Sequence, residues 1–331
     1  MRGKLNKILL GIGATITGLA VYTVTSYAVT KKFVKFALDR DSPKTSEKSK
    51  KKISRTVIDP ELMQMVQEKA EELKNSGCEL IEITGLDNER LIGHFYRNEN
   101  TDRIILAMHG WRTSWTRDFG VISEFWHKNN CSVLYVEQRG QNNSGGQYIG
   151  FGMLERYDCV EWLKWISENF SSDIPVYLAG ISMGAATVLM ASGLKLPLNV
   201  CGIMADSGYT SPHAIWKYVT ENNLRLSYGM VGLLADDICR RKINMGTKDC
   251  STVDALKKNK IPVLFVHGTL DRFVPVEMTY ENYMACAGPK ELLIVPGAEH
   301  AKSYLMEKEK YEDVVKAFWN QYDKKINPNH N

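Results

Sequence analysis

The sequence contains no CxxC pair: its seven cysteines, from Cys78 to Cys286, are an odd number scattered along the chain, and Cys131 and Cys201 sit in or beside apolar runs. That pattern argues against a disulfide framework or a zinc site and fits reduced thiols used as small hydrophobes. Proline is scarce at 10 residues, and 44% hydrophobic against 24% charged residues excludes a disordered or collagen-like chain. There is no internal repeat. Neither GxxxxGK[ST] nor GxGxxG occurs, so Gln138-Arg139-Gly140 and Ser144-Gly145-Gly146 read as a structural loop rather than a phosphate cradle.

A basic excess on the body of the chain is also lacking. The net charge is +4, but residues 1–52 hold 12 of the 42 Lys and Arg and 3 of the 38 Asp and Glu. The remainder has 30 basic against 35 acidic residues, which excludes nucleic acid as the expected partner. At 331 residues the chain has room for one large domain or two small ones.

Charge is absent altogether from Ile8 to Thr30, 23 residues. As a helix rising ~1.5 Å per residue, such a run crosses a ~30 Å hydrocarbon layer. The expectation is one N-terminal transmembrane helix, residues 1–30 forming the anchor and the membrane being a partner. A cleaved signal peptide is the rival, with Arg2, Lys4 and Lys7 as its basic start and Ser26-Tyr27-Ala28 as its cleavage site. Lys31, Lys32 and Lys35 follow at once and favour the anchor. Residues 31–58, with the KSKKK run, read as a basic linker. Seven Lys or Arg in residues 31–50 against three ahead of the run favour a domain facing the cytoplasm.

From residue 59 the pattern is that of a folded domain, 59–331. Asp59 and Pro60 open a helix over 59–75. The segments Glu79–Thr84 and Leu91–Arg97 form a hairpin. Short Val, Ile and Leu runs then recur at Ile104–Met108, Val133–Val136, Val176–Ala179, Val200–Met204, Val263–Val266 and Leu292–Val295, with helical patterns between them. This is an α/β chain whose mostly parallel sheet is flanked by helices on both faces. Residues 207–258 are too long for a simple crossover and read as an inserted helical cap, or else as a pair of packing helices.

Gly180-Ile181-Ser182-Met183-Gly184 lies between the strand VYLA and an apolar helix, the strand-turn-helix setting of a G-x-S-x-G nucleophile elbow. Ser182 is the candidate nucleophile. A serine nucleophile needs a base and an orienting acid, here in the chain order Ser, acid, His. His300 follows the last apolar strand and is the candidate base. Asp271, after PVLFVHG, is the candidate acid, with Asp206, after CGIMA, as competitor. The oxyanion hole is expected from the backbone N–H of Met183 and that of Trp111 in His109-Gly110-Trp111. His109 itself reads as a loop histidine bonded to neighbouring backbone. No metal or organic cofactor is needed.

The segments HGW, QRGQNNSGG, GISMGA, HGTLDRFVP and AEHAKSY, in that order, resemble the α/β-hydrolase superfamily and, within it, bacterial serine hydrolases of the Bem46-like and serine-aminopeptidase-like branches. The resemblance covers roughly residues 79–324 and implies Ser182, Asp271 and His300 as a triad, Trp111 and Met183 as oxyanion donors, and 207–258 as cap. The loop departs from the RGHGxSxG that relatives commonly carry. The expected activity is hydrolysis of an ester or thioester bond in a small-molecule or lipid-like acyl substrate. A peptidase or acyltransferase on the same residues, or a non-catalytic binding protein, remains open at this point.

Overall fold

The computed structural model describes residues 23–41 and 59–323. Residues 1–22, most of the expected anchor, and residues 42–58, with the KSKKK run, lie outside the described residues. Among those described, no helix is long and apolar enough to cross a membrane.

Helix α1 is described from residue 23 to residue 38 and runs across the boundary drawn at residue 30. Rather than beginning a linker, residues 31–38 continue the helix and pack on the body, with Val34, Ala37 and Leu38 buried. The stripe Thr30, Phe33, Val34, Ala37, Leu38 has helical spacing, and its burial outweighs the solvation of Lys31, Lys32 and Lys35 on the outer side. Asp39 then bridges to Tyr148, and the Leu38 carbonyl accepts from the Ile149 N–H.

Helix α2, Pro60–Lys74, begins as expected: the Asp59 carboxylate accepts from the N–H groups of Glu61 and Leu62. Strands β1 (Glu79–Thr84) and β2 (Arg90–Tyr96) form the antiparallel hairpin. Next come β3 (Arg103–Met108), α3 (Trp115–Lys128), β4 (Cys131–Glu137), α4 (Glu155–Asn169), β5 (Val176–Ile181), α5 (Met183–Ala191) and β6 (Val200–Asp206). The insertion contributes α6 (Pro212–Tyr218), a π-turn (Val219–Asn223), α7 (Gly229–Ile243) and α8 (Thr252–Leu256). The chain closes with β7 (Val263–Gly268), α9 (Val276–Ala285), β8 (Lys290–Val295), α10 (Ser303–Met306) and α11 (Lys308–Tyr322). The apolar pattern of residues 303–322 is not one continuous helix. It breaks at Glu307, whose φ of −133° and ψ of 54° are not helical.

The eight strands form one sheet in the order β1-β2-β4-β3-β5-β6-β7-β8, parallel from β4 through β8 and antiparallel only around β2. Alternate residues of β3 feed opposite cores: Ile105 and Ala107 meet Phe119, Tyr135 and Trp319, while Ile104, Leu106 and Met108 meet Trp162 and Val188. Burial on both faces is why the strands read as unbroken apolar runs. A third apolar cluster, with Val34, Met183, Trp216 and Val274, lies at the C-terminal edge of the sheet. There the loops after β3, β5, β7 and β8 converge, as ligand sites do in parallel sheets.

Candidate active site

Ser182 occupies the turn between β5 and α5 with φ of 56° and ψ of −114°, a backbone conformation that costs energy for any residue with a Cβ. The flanking glycines make the turn possible. A Cβ on Gly180 would stand 2.4 Å from the Gly184 carbonyl, and one on Gly184 would stand 1.8 Å from the Met108 oxygen. The close seating of the turn on β3 fixes where the serine side chain stands. Because Met183 is the first residue of α5, its N–H has no partner within the helix and lies at the positive helix end.

His300, in the loop after β8, comes within hydrogen-bond reach of that serine: Nε2 lies 2.9 Å from the Ser182 Oγ. Its Nδ1 lies 2.6 Å from Oδ2 of Asp271, in the loop after β7. With the Nδ1 proton donated to Asp271, Nε2 is left to accept from the serine hydroxyl. Burial works against a charge on His300, but the charge and hydrogen bond of Asp271 more than offset it, so the imidazole is more basic than usual. Burial likewise opposes the Asp271 charge. The charges and hydrogen bonds of His300 and His267 outweigh it and hold the carboxyl well below the usual carboxylate range. The other Asp271 oxygen accepts from the N–H groups of Phe273 and Val274, both at 2.9 Å.

The competitor Asp206 is placed differently. Its Oδ1 accepts from the hydroxyls of Ser207 and Ser303, at 2.9 and 3.4 Å, and its carbonyl accepts from the Ser182 N–H. Burial pushes its carboxyl up to about 6. It therefore supports the floor beneath the serine, and the contact to His300 belongs to Asp271.

Trp111 and Ser182 line the same cleft. Sequence reasoning gave no role to Asp118, which shapes this loop: its carboxylate accepts from the Gly110 N–H at 2.7 Å and the Thr113 hydroxyl at 2.8 Å. The Gly110 N–H is thereby committed to Asp118. His109 points away from the cleft, Nδ1 toward the Gly110 carbonyl and Nε2 accepting from the Gln138 N–H. Arg139, in the RGQNNSGG loop, binds Asp158 and Asp87, so the loop is held by internal ion pairs.

No charged side chain lines the cleft over Ser182. The insertion contributes Tyr209, Ile215, Trp216, Val219 and Leu224. Other apolar residues of the insertion do not reach it: Leu226 and Leu233 are exposed, and Tyr228 packs against the ring of His213. Three lining residues, Phe33, Phe36 and Ala37, come from α1. In the sequence they stand among Lys31, Lys32 and Lys35, which mask the apolar stripe of the helix.

A serine elbow after β5, an acid after β7 and a histidine after β8, on a sheet of this strand order, decide the architecture. The fold is that of the α/β-hydrolases. Solved structures with this fold include the Pyrococcus furiosus esterase Pf2001, with a TM-score of 0.60 and 21% identity over 76% of this chain and 93% of that one. Est1E from Butyrivibrio proteoclasticus, solved with ferulic acid bound, superposes with a TM-score of 0.58 and 18% identity over 73% of this chain and 98% of its own. An acylaminoacyl peptidase from Pyrococcus horikoshii does so at 0.54 and 14% identity, with 75% of this chain matching 42% of that one. By sequence the chain is similar to the uncharacterized protein YqkD of Bacillus subtilis, 24% identical across 95% of this chain and 97% of that protein. It is also similar to YfhR of Escherichia coli K12, 24% identical across 69% and 75% respectively. No family model matches the chain.

Proposed function

We propose that this α/β-hydrolase is a serine esterase that cleaves esters or thioesters of apolar acyl groups. The observation that carries the reading is the chain of contacts from Ser182 Oγ through His300 to Asp271, set at the floor of a cleft without charged lining. In the proposed cycle Ser182 attacks the acyl carbonyl as His300 takes its proton. The N–H groups of Met183 and Trp111 hold the oxyanion, and His300 returns the proton to the leaving alcohol or thiol. Water then enters and loses a proton to His300, its oxygen bonds to the acyl carbon, and the Ser182 Oγ leaves with the proton from His300, releasing the carboxylic acid. The esterases that share the fold support hydrolysis of an ester bond. A peptide chain would need polar partners for its backbone, and the lining offers it few.

A fluorophosphonate probe is expected to label the wild type and spare Ser182→Ala. Equal labelling of both would remove Ser182 as nucleophile, and labelling of neither would leave a binding protein.

The uncharged run from Ile8 to Thr30 further supports a membrane anchor, and the lysines behind it support a cytoplasmic hydrolase domain. Protease added to spheroplasts should leave the C-terminus intact. Digestion without lysis would place the domain on the other side.

A further inference from the structure

The described residues of helix α1 fall into two parts of different character. Its C-terminal half is a wall of the cleft: Phe33 stands edge-on to Trp216, with ring centroids 5.4 Å apart, and Phe36 edge-on to Trp111, 5.2 Å apart. This half is fastened to the body by its last carbonyls, which have no partners within the helix. The Trp111 indole N–H donates to the Ala37 carbonyl at 2.9 Å, and the Arg112 guanidinium donates to that of Phe36 at 2.9 Å. Lys242 of α7 pairs with Asp39 at 2.9 Å.

The N-terminal half stands clear of the body. Val24, Tyr27 and Val29 are 69%, 42% and 42% exposed, whereas Thr30 is fully buried. Exposed apolar side chains in this part of the helix call for an occupant, and the sequence names one. They are the end of the uncharged run that begins at Ile8, with a length matched to the hydrocarbon layer, and the exposed Lys31, Lys32 and Lys35 follow where anionic headgroups would lie.

At ~1.5 Å per residue, Phe33 lies ~4.5 Å and Phe36 ~9 Å along the helix beyond Thr30. The wall of the cleft therefore begins within one helical turn of the end of the apolar run. An acyl chain passing from one to the other travels beside Phe33 and Phe36, which line the cleft. Passage through water would instead cost ~0.8 kcal/mol for each methylene exposed.

We propose that the acyl cleft is loaded from the bilayer: its substrates are esters of membrane-resident lipids, whose acyl chains enter along α1. The inference rests on the reading of Ser182 as an esterase nucleophile and on that of residues 8–30 as an anchor.

The test reconstitutes the full chain into vesicles of phosphatidylcholine and phosphatidylglycerol. A fluorogenic long-chain acyl ester is placed either in the same vesicles or in separate ones, and p-nitrophenyl acetate is supplied in the buffer as a separate readout. Hydrolysis is expected at least tenfold faster when enzyme and lipid share a vesicle. Ala37→Phe, which fills the cleft from α1, should lower the ratio of long-chain to acetate turnover at least tenfold. Phe36→Ala should change that ratio without filling the cleft, which separates pocket shape from folding damage. Equal rates from shared and separate vesicles, or acetate hydrolysis alone, would overturn the loading route and leave the esterase reading standing. Loss of acetate hydrolysis and of fluorophosphonate labelling in the wild type would overturn both.

Discussion

His267 places Nε2 3.1 Å from the same Oδ2 of Asp271 that His300 holds. Its Nε2 is also 2.9 Å from the Val274 carbonyl, and its Nδ1 is 2.6 Å from the Thr279 hydroxyl. With the proton on Nε2, His267 donates to the carboxylate and accepts from Thr279, so the acid of the site is gripped from behind. The residue stands in HGTLD, one of the segments that carry the family resemblance, yet sequence alone gives it no partner.

Replacing His267 by Ala is therefore expected to lower turnover of p-nitrophenyl esters about tenfold. It should also cost roughly 1–3 kcal/mol of stability, because the Thr279 hydroxyl loses its buried partner. Steady-state kinetics and thermal unfolding measure the two effects. Unchanged turnover in a folded protein would make His267 a packing residue only.

Asp271→Asn should reduce turnover by about 10⁴, through loss of the imidazole orientation. Asp206→Asn should cost less than about tenfold, since an amide oxygen still accepts from Ser207 and Ser303. Kinetics of the two variants side by side decide between the acids, and the opposite ranking would assign the role to Asp206.

The pH profile follows from His300. Its pKa is raised above the ordinary 6.5, and only the neutral imidazole accepts the serine proton. Activity should thus increase with pH, with a midpoint above 6.5, and be lost as the pH falls through it. Asp271→Asn removes the main partner of the imidazolium, so the midpoint of its residual activity should move down. A midpoint that stays where it was would detach the titrating group from Asp271.

Gly184→Ala puts a Cβ 1.8 Å from the Met108 carbonyl oxygen, a contact with backbone that no rotamer change relieves. The loss of stability should reach or exceed the ~1–3 kcal/mol typical of overpacking. Thermal unfolding reports it, and a wild-type melting temperature would contradict the tight seating of the elbow on β3.

Strands were legible in the sequence because β3 to β7 are covered on both faces, which leaves apolar runs such as Ile104–Met108 and Val263–Val266 bounded by turn residues. The elbow was legible because its chemistry is local: two glycines, a serine, a strand before and a helix after. What stayed hidden depends on contacts between distant segments. Asp118 reaches Gly110 eight residues back, and nothing about DFG in sequence marks it. The insertion was recognisable by its length, yet Leu226 and Leu233 turn outward while Trp216 and Leu224 turn in, a choice made by how α6 and α7 lie on the body. The wall at Phe33 and Phe36 was obscured by three lysines that occupy the outer side of the same helix.

The indole hydrogen bond from Trp111 to Ala37 and the aromatic contacts of Phe33 and Phe36 have a practical bearing on preparing the protein. A chain cut back to Pro60 to discard the apolar leader keeps every strand, along with Ser182, Asp271 and His300. It would nonetheless leave the Arg112 guanidinium and the Trp111 indole without their carbonyl partners and open one side of the cleft to water. Such a trimmed enzyme would retain its nucleophile and react with small activated esters while misreporting the range of acyl groups accepted by the whole molecule. Substrate profiling belongs on a chain that keeps residues 23–41.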